Sequence, residues 1–158
     1  MQITEEILRQ LGRDVCETMV EFPQQPADSP TKATRWLSAS VAIQGLHRDH
    51  LEVIADEQLA AVIACTIFAT PLGETPSQSD MFDALGEIAN QIGGNLKGII
   101  GDEAELSLPV VKTLTSPDAH IAAGTTRVTI EFADFPLTLV YQSSTPRTHI
   151  DTVLCDAV

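Results

Sequence analysis

Apolar residues recur along this chain with two different periods, and the changes of period separate predicted helices from predicted strands. The first run has the spacing of one face of a helix and consists of Ile7, Leu8, Leu11, Val15 and Met19. Thr4 can cap this helix at its start. Pro23 and Pro26 end the pattern, which predicts a loop over residues 24–31.

A period of two follows and predicts strands. Residues 34–44 place Leu37 and Val41 on one face and Ser38 and Ser40 on the other. A turn near Gly45 leads to a short second strand over 51–55. Three further strands are predicted at 105–114, 121–133 and 137–143, with a hairpin turn over 134–136 between the last two.

Two more helices are predicted between these groups of strands. Asp56 can cap a helix over 57–68, although the β-branched residues of that segment also suit a strand. A longer helix over 80–100 has Ser77 or Ser79 as its cap. Strands joined by short turns imply a largely antiparallel sheet with helices packed on it. We therefore expect one α+β domain over 1–158, with a polar tail after Pro146.

Composition excludes several classes of partner. The 158 residues include 22 acidic and 9 basic ones, for a net charge of -13, which repels nucleic acid and anionic membranes. No apolar run reaches the roughly 20 residues needed to span a bilayer, and the acidic start is unlike a signal peptide. The 3 cysteines are far apart in sequence, as in a cytoplasmic protein with reduced thiols. Cys16 and Cys65 are predicted to be packing residues.

The long helix has an apolar face and an opposite polar stripe at about 100° per residue. The polar stripe consists of Asp83, Glu87, Asn90, Gly94 and Lys97. Gly86, Gly93 and Gly94 within this helix are each unfavourable by roughly 1 kcal/mol relative to alanine and suggest close approach of other groups. Gly86, Ala89 and Gly93 form a small-residue flank, for which the first helix is the expected neighbour. Gly94 would let a partner protein approach the stripe.

Residue types alone leave the role of this stripe open, because a Glu and an Asn three positions apart are common on solvated helices. Metal chemistry is not indicated. His47 and His50 flank a turn, without helical ligand spacing or a third ligand nearby, which favours a surface turn. The sequence predicts no metal site.

The segment 83–97, DALGEIANQIGGNLK, favours a functional role for the polar stripe over a merely solvated face. It resembles the signature helix of the CheX-type members of the CheC/CheX/FliY family of chemotaxis phosphatases, which carries Glu-x-x-Asn and then a small-residue Gly-Asn segment. The strand ending near Gly45, the Ala-rich segment 57–68 and Leu108-Pro109-Val110-Val111 also fall where that family has them. The resemblance extends over about residues 4–143.

The resemblance implies an aspartyl-phosphate phosphatase acting on a CheY-like response regulator. Asn90 would orient the attacking water, and Glu87 would dock the regulator's active-site lysine. Asp83, Gly94 and Lys97 would line the partner-binding face. The chain would need no cofactor of its own, since the regulator supplies Mg²⁺. It would form a homodimer, for which we expect edge strands such as 137–143 to offer pairing groups.

Two features qualify this interpretation. Some members carry a second Glu-x-x-Asn motif on the first helix, where this chain has Glu17 but Val20 three residues later, so we expect a single site. The net charge of -13 opposes association with a regulator whose active site is acidic. A non-catalytic domain that binds the regulator, or acts as a scaffold, through the same helix is the alternative hypothesis.

Overall fold

The computed structural model describes residues 2–19, 35–71, 74–101, 103–118, 125–132 and 134–144. The loop predicted at 24–31 and the polar tail predicted after Pro146 lie outside these ranges. The helices are α1 (Glu5–Met19), α2 (Glu57–Ile67) and α3 (Gln78–Ile100). The strands are β1 (Trp36–Gln44), β2 (Arg48–Asp56), β3 (Glu105–Leu106), β4 (Val110–Leu114), β5 (Thr126–Phe132) and β6 (Phe135–Ser144).

The strands form one 6-stranded sheet in which every pairing is antiparallel. The order is β3-β1-β2-β6-β5, and β4 also pairs with β1, beside β3. This confirms the predicted α+β class. The expectation that 137–143 is an edge strand is wrong, because β6 pairs with both β2 and β5. Its backbone groups are therefore used within the sheet.

Side-chain caps fix where the helices begin. Ile7 N donates to Thr4 Oγ1 at 3.3 Å, and Leu59 N donates to Asp56 Oδ1 at 2.8 Å. The helical prediction for 57–68 is thus confirmed over its strand alternative. At α3, Ser77 and Asp80 form a capping box in which each side chain accepts from the other residue's backbone N–H.

The segment predicted as one strand over 105–114 is two strands, β3 and β4, separated by 107–109. Ser107 explains the interruption. Its N–H donates to Ala42 O at 2.9 Å, and its Oγ accepts from Ala42 N at 2.9 Å. The side chain thus takes a place in the ladder that a backbone carbonyl would otherwise hold, and Pro109 has no N–H with which to resume it.

The hairpin between β5 and β6 is also tighter than predicted. Phe132 pairs directly with Phe135, so Phe135 and Pro136 belong to β6 instead of the turn. Asp134 takes a positive φ of 70°, a conformation that aspartate tolerates in tight turns. The turn is therefore shorter than the three residues expected.

All three helices pack on one face of the sheet and form the main core. The largest fully buried side chains are Leu8, Ile43, Leu51, Ile54, Leu59, Ile63, Leu85, Ile88, Ile92, Leu96, Leu137 and Leu139. Cys16 and Cys65 are buried free thiols, which confirms their assignment as packing residues. Burial raises the pKa of the Cys16 thiol to about 12, so this sulfur is a poor nucleophile at neutral pH.

Candidate functional site

The two faces of α3 lie as the helical wheel predicts. Leu85, Ile88 and Ile92 are fully buried against the sheet and its other helices. On the polar stripe, Asp83 and Gly94 are exposed, while Glu87, Asn90 and Lys97 are half-buried. The side chains of the stripe are therefore presented at the surface by a helix whose opposite face is fixed in the core.

The small-residue flank of α3 faces the sheet, so the expectation that α1 would contact it was wrong. A Cβ added to Gly86 would lie 3.5 Å from Pro109 Cγ, and one added to Gly93 would lie 2.7 Å from Val41 Cγ2. Gly93 would also bring a Cβ within 3.0 Å of Leu106 Cδ1. The glycines thus let α3 lie closely on β1 and on the segment that joins β3 to β4. By contrast, nothing lies within 4 Å of a Cβ at Gly94.

Glu87 and Asn90 are separated by about 4.5 Å along the axis of α3, since each residue rises about 1.5 Å. Glu87 Oε1 accepts a hydrogen bond from Gln91 Nε2 at 3.0 Å. Within the described part of the chain, the ion pairs are Arg35–Glu57 and Arg127–Asp118, so Glu87 has no basic partner there. The site therefore offers an uncompensated carboxylate beside a primary amide.

This pair of groups is suited to binding and orientation more than to covalent chemistry. A carboxylate accepts hydrogen bonds and attracts an ammonium group. An amide can accept and donate at once, and can hold a water molecule without acting as a nucleophile. Because both side chains stand on one helical turn, they can enter a concave surface of a partner together.

A second polar feature, missed at the sequence level, lies where α3 ends. A cavity of about 460 Å³ lies between the β1–β2 turn, the end of α3 and β6, and His47, Asp49, Glu103 and Tyr141 are among its lining residues. Inside it, Tyr141 Oη donates to Asp49 Oδ1 at 2.7 Å, and both residues are buried. Sequence reasoning gave no signal for this pair, because Asp49 near a predicted turn and Tyr141 in a predicted strand are 92 positions apart.

Tyr141 should titrate at unusually high pH in the native protein. Burial raises the pKa of Tyr141 well above its ordinary value of 10.0, and the Asp49 carboxylate raises it further. Because the pKa of Tyr141 is higher in the folded than in the unfolded protein, the protonated phenol contributes fully to the free energy of unfolding below about pH 10. This contribution is lost as the pH rises through the folded pKa. Tyr141 is the sole tyrosine, so tyrosinate absorbance during alkaline titration measures its pKa directly. A native titration midpoint at the unfolded value would contradict this.

No group of three or more His, Cys, Asp or Glu side chains that could hold a metal ion occurs among residues 2–19, 35–71, 74–101, 103–118, 125–132 and 134–144. His47 and His50 occupy a turn and a strand, respectively, and His50 pairs with Gln142 across the sheet. In the same described ranges, no helix has the length and hydropathy needed to cross a bilayer.

Comparison with known proteins identifies the family. Residues 37–133 match the family described as "Chemotaxis phosphatase CheX". The chain belongs to the CheX family. The matched range runs from the second residue of β1 to the end of β5, and it includes Glu87 and Asn90. No match was found among curated protein sequences.

Solved structures of CheX and CheC-like proteins share the fold. A CheX from Vibrio vulnificus is 22% identical, with a TM-score of 0.65 over 87% of this chain and 96% of that one. A CheC-like protein from a Shewanella species is 18% identical, with a TM-score of 0.63 over 91% and 99% of the two chains. CheX from Borrelia burgdorferi, solved in a complex with CheY, BeF3 and Mg²⁺, is 13% identical, with a TM-score of 0.61 over 87% and 96%.

At the position expected for a second Glu-x-x-Asn motif, α1 carries Glu17, the first residue of the motif. Glu17 is exposed there, whereas Val20 lies outside the described residues. Among the described residues, a Glu and an Asn three positions apart on one helix occur at Glu87 and Asn90 of α3.

Proposed function

We propose that this CheX-family protein dephosphorylates the phosphoaspartate of a CheY-like response regulator. The observation that carries the proposal is that Glu87 and Asn90 stand one turn apart on the surface of α3, opposite its core face. Neither side chain is needed to fill the core, and within the described residues no base neutralises Glu87. The family match to chemotaxis phosphatases supports the same reaction class.

Asn90 is the catalytic residue in this proposal. Its amide enters the regulator's active site and holds a water molecule in line with the bond to be broken. The water oxygen forms a bond to phosphorus while the bond from phosphorus to the aspartate oxygen breaks. The products are inorganic phosphate and a free aspartate carboxylate on the regulator, and the water's proton passes to phosphate or solvent.

Glu87 docks the regulator by pairing with its active-site lysine. A charge-assisted hydrogen bond of this kind is stronger than one between neutral groups, and it fixes the partner relative to Asn90. The charge that develops on the phosphoryl oxygens is met by Mg²⁺ and lysine, both supplied by the regulator. This chain therefore brings no cofactor to the reaction.

The remaining polar-stripe residues form the partner-binding face in this proposal. Asp83 lies one turn before Glu87 and is exposed, and Lys97 lies at the other end of the stripe. Gly94 leaves open space above the helix between them, where a backbone segment of the regulator can approach.

Phosphate release from phosphorylated candidate regulators, with and without this protein and in the presence of Mg²⁺, tests the function. Faster release that depends on Asn90 supports catalysis. Tight binding with unchanged release supports instead the alternative, a non-catalytic binding or scaffold domain that uses the same helix. Release that is accelerated equally without Asn90 would show that another group orients the water.

We also propose that the protein is a homodimer, as the resemblance to CheX-type proteins implies. Sedimentation equilibrium across micromolar concentrations should give twice the chain mass of 17.0 kDa. Because β6 is internal, dimerisation through sheet extension would have to use an edge formed by β5 or by β3 and β4. A monomer mass at every concentration would contradict the proposal.

The proposed substrate is a signalling protein of the cytoplasm, and we propose the same compartment for this chain. Its net charge of -13 disfavours nucleic acid and anionic lipid as further partners.

A further inference from the structure

Gln91 is the one described side chain that hydrogen-bonds Glu87. Its Nε2 donates to Glu87 Oε1 at 3.0 Å from an exposed position one turn further along α3. Within the described residues the second carboxylate oxygen, Oε2, makes no hydrogen bond. Gln91 thus uses one carboxylate oxygen of Glu87, and the other oxygen can accept a hydrogen bond from a partner protein.

The Gln91 amide is uncharged, and this matters because the carboxylates near it are acidic and unpaired within the described residues. Asp83, four residues before Glu87, is also acidic, and like charges at this spacing repel weakly. A lysine at position 91 would relieve that repulsion, since Glu followed by Lys four residues later is a favourable helical pair. It would also pair with Glu87 internally and compete with any ammonium group arriving from outside. An amide restrains the carboxylate without neutralising its charge.

We propose that Gln91 is a positioning residue that orients Glu87 for the regulator's lysine, and that its neutrality keeps Glu87 free to form that pair. The inference rests on the proposed function of Glu87. Gln91 itself touches neither phosphate nor water, so it acts on docking and not on the chemical step.

Three variants separate this role from a structural one. Gln91→Met keeps the length and helix propensity but removes the donor, and should raise KM and Kd modestly with kcat unchanged. Gln91→Lys introduces the competing charge, and should raise both constants about two- to fivefold, the range of an exposed ion pair. Its Tm should be unchanged or higher, because the new pair stabilises the helix. If Gln91 were only structural, the variants with raised KM would also have a lowered Tm.

Gln78→Lys is the matched control. Gln78 is exposed in the first turn of the same helix, nine residues before Glu87, which is about 13.5 Å along the axis. The substitution and the change in net charge are identical to those in Gln91→Lys. Because a less negative chain associates more readily with an acidic regulator, Gln78→Lys should leave KM unchanged or slightly lower.

The decisive measurement is the Kd for a phosphorylated CheY-like regulator, together with kcat and KM for phosphate release. Equal constants for Gln91→Lys and Gln78→Lys would overturn the inference, as would a fall in kcat at constant KM for Gln91→Met. Failure of the proposed catalysis is distinguished by the unmodified protein: if it binds the regulator without releasing phosphate, the Kd series still tests Gln91. If the unmodified protein neither binds nor acts on any regulator, the proposed phosphatase function, the docking role of Glu87 and the positioning role of Gln91 are all wrong.

Discussion

Replacing Asn90 with alanine should lower the rate of regulator dephosphorylation by about 10²- to 10³-fold, or roughly 3–4 kcal/mol, while docking stays nearly intact. The physical reason is that an acyl phosphate is already reactive and lacks only a correctly oriented water molecule. Asn90 is half-buried on the polar stripe, so its removal leaves no cavity in the core. Single-turnover phosphate release at saturating enzyme measures the chemical step apart from binding.

Two other substitutions on α3 serve as controls for Asn90→Ala. Glu87→Ala should mainly weaken binding and also slow turnover, because a hydrogen bond to a charged group contributes roughly 1.5–3 kcal/mol. Ile88→Ala should destabilise the fold by roughly 2–5 kcal/mol without a specific kinetic effect, since Ile88 is fully buried. Full activity in Asn90→Ala would remove the catalytic assignment. A fall in Tm as large as that of Ile88→Ala would show that Asn90 is structural.

Gly93→Val should destabilise the protein by about 3 kcal/mol, near the upper end of the usual range for overpacking a core. The added Cβ would lie 2.7 Å from Val41 Cγ2, and Val41 is a stiff, buried residue of the internal strand β1. Either α3 must lift from the sheet or β1 must move. Urea unfolding monitored by circular dichroism gives the change in the free energy of unfolding.

The neighbouring Gly94→Val is the control, because the same substitution meets open space one residue later. It should leave stability unchanged or slightly raised, since valine has a higher helix propensity than glycine. If Gly94 admits the regulator's backbone, the same variant should raise the Kd for the regulator while remaining folded. Equal stability of the two variants would show that the close contact of Gly93 with the sheet is not maintained in solution.

Much of this fold could be predicted because hydrophobic periodicity and capping residues agree. The start of α2 follows from Asp56, and polar and apolar residues alternate over 37–41 of β1. The sequence offered Ser77 and Ser79 as caps of the long helix and placed its start at residue 80, whereas Ser77 is the cap and α3 begins at Gln78. The errors arose where one side chain overrides a local pattern. Nothing in the periodicity of 105–114 indicates that Ser107 will replace a backbone carbonyl in the ladder, and strand order depends on contacts far apart in sequence.

For the candidate site, the sequence predicted which side chains lie at the surface but not what their helix rests on. The apolar face of α3 follows from the spacing of Leu85, Ile88 and Ile92. The partner of the small-residue flank depends on tertiary packing, which places β1 and the β3–β4 connection there instead of α1. The bond from Gln91 to Glu87 is compatible with a four-residue spacing, yet spacing alone does not select it from the other surface pairs.

A consequence of building the site on one uninterrupted helix concerns the temperature dependence of activity. The separation of Glu87 from Asn90 is set by local helical geometry, and no second element has to be aligned with it. Warming the protein, or weakening its core, therefore reduces the number of folded molecules without distorting those that remain. The amount of active enzyme should decline in parallel with the helical circular dichroism signal, and each surviving molecule should retain its full catalytic competence.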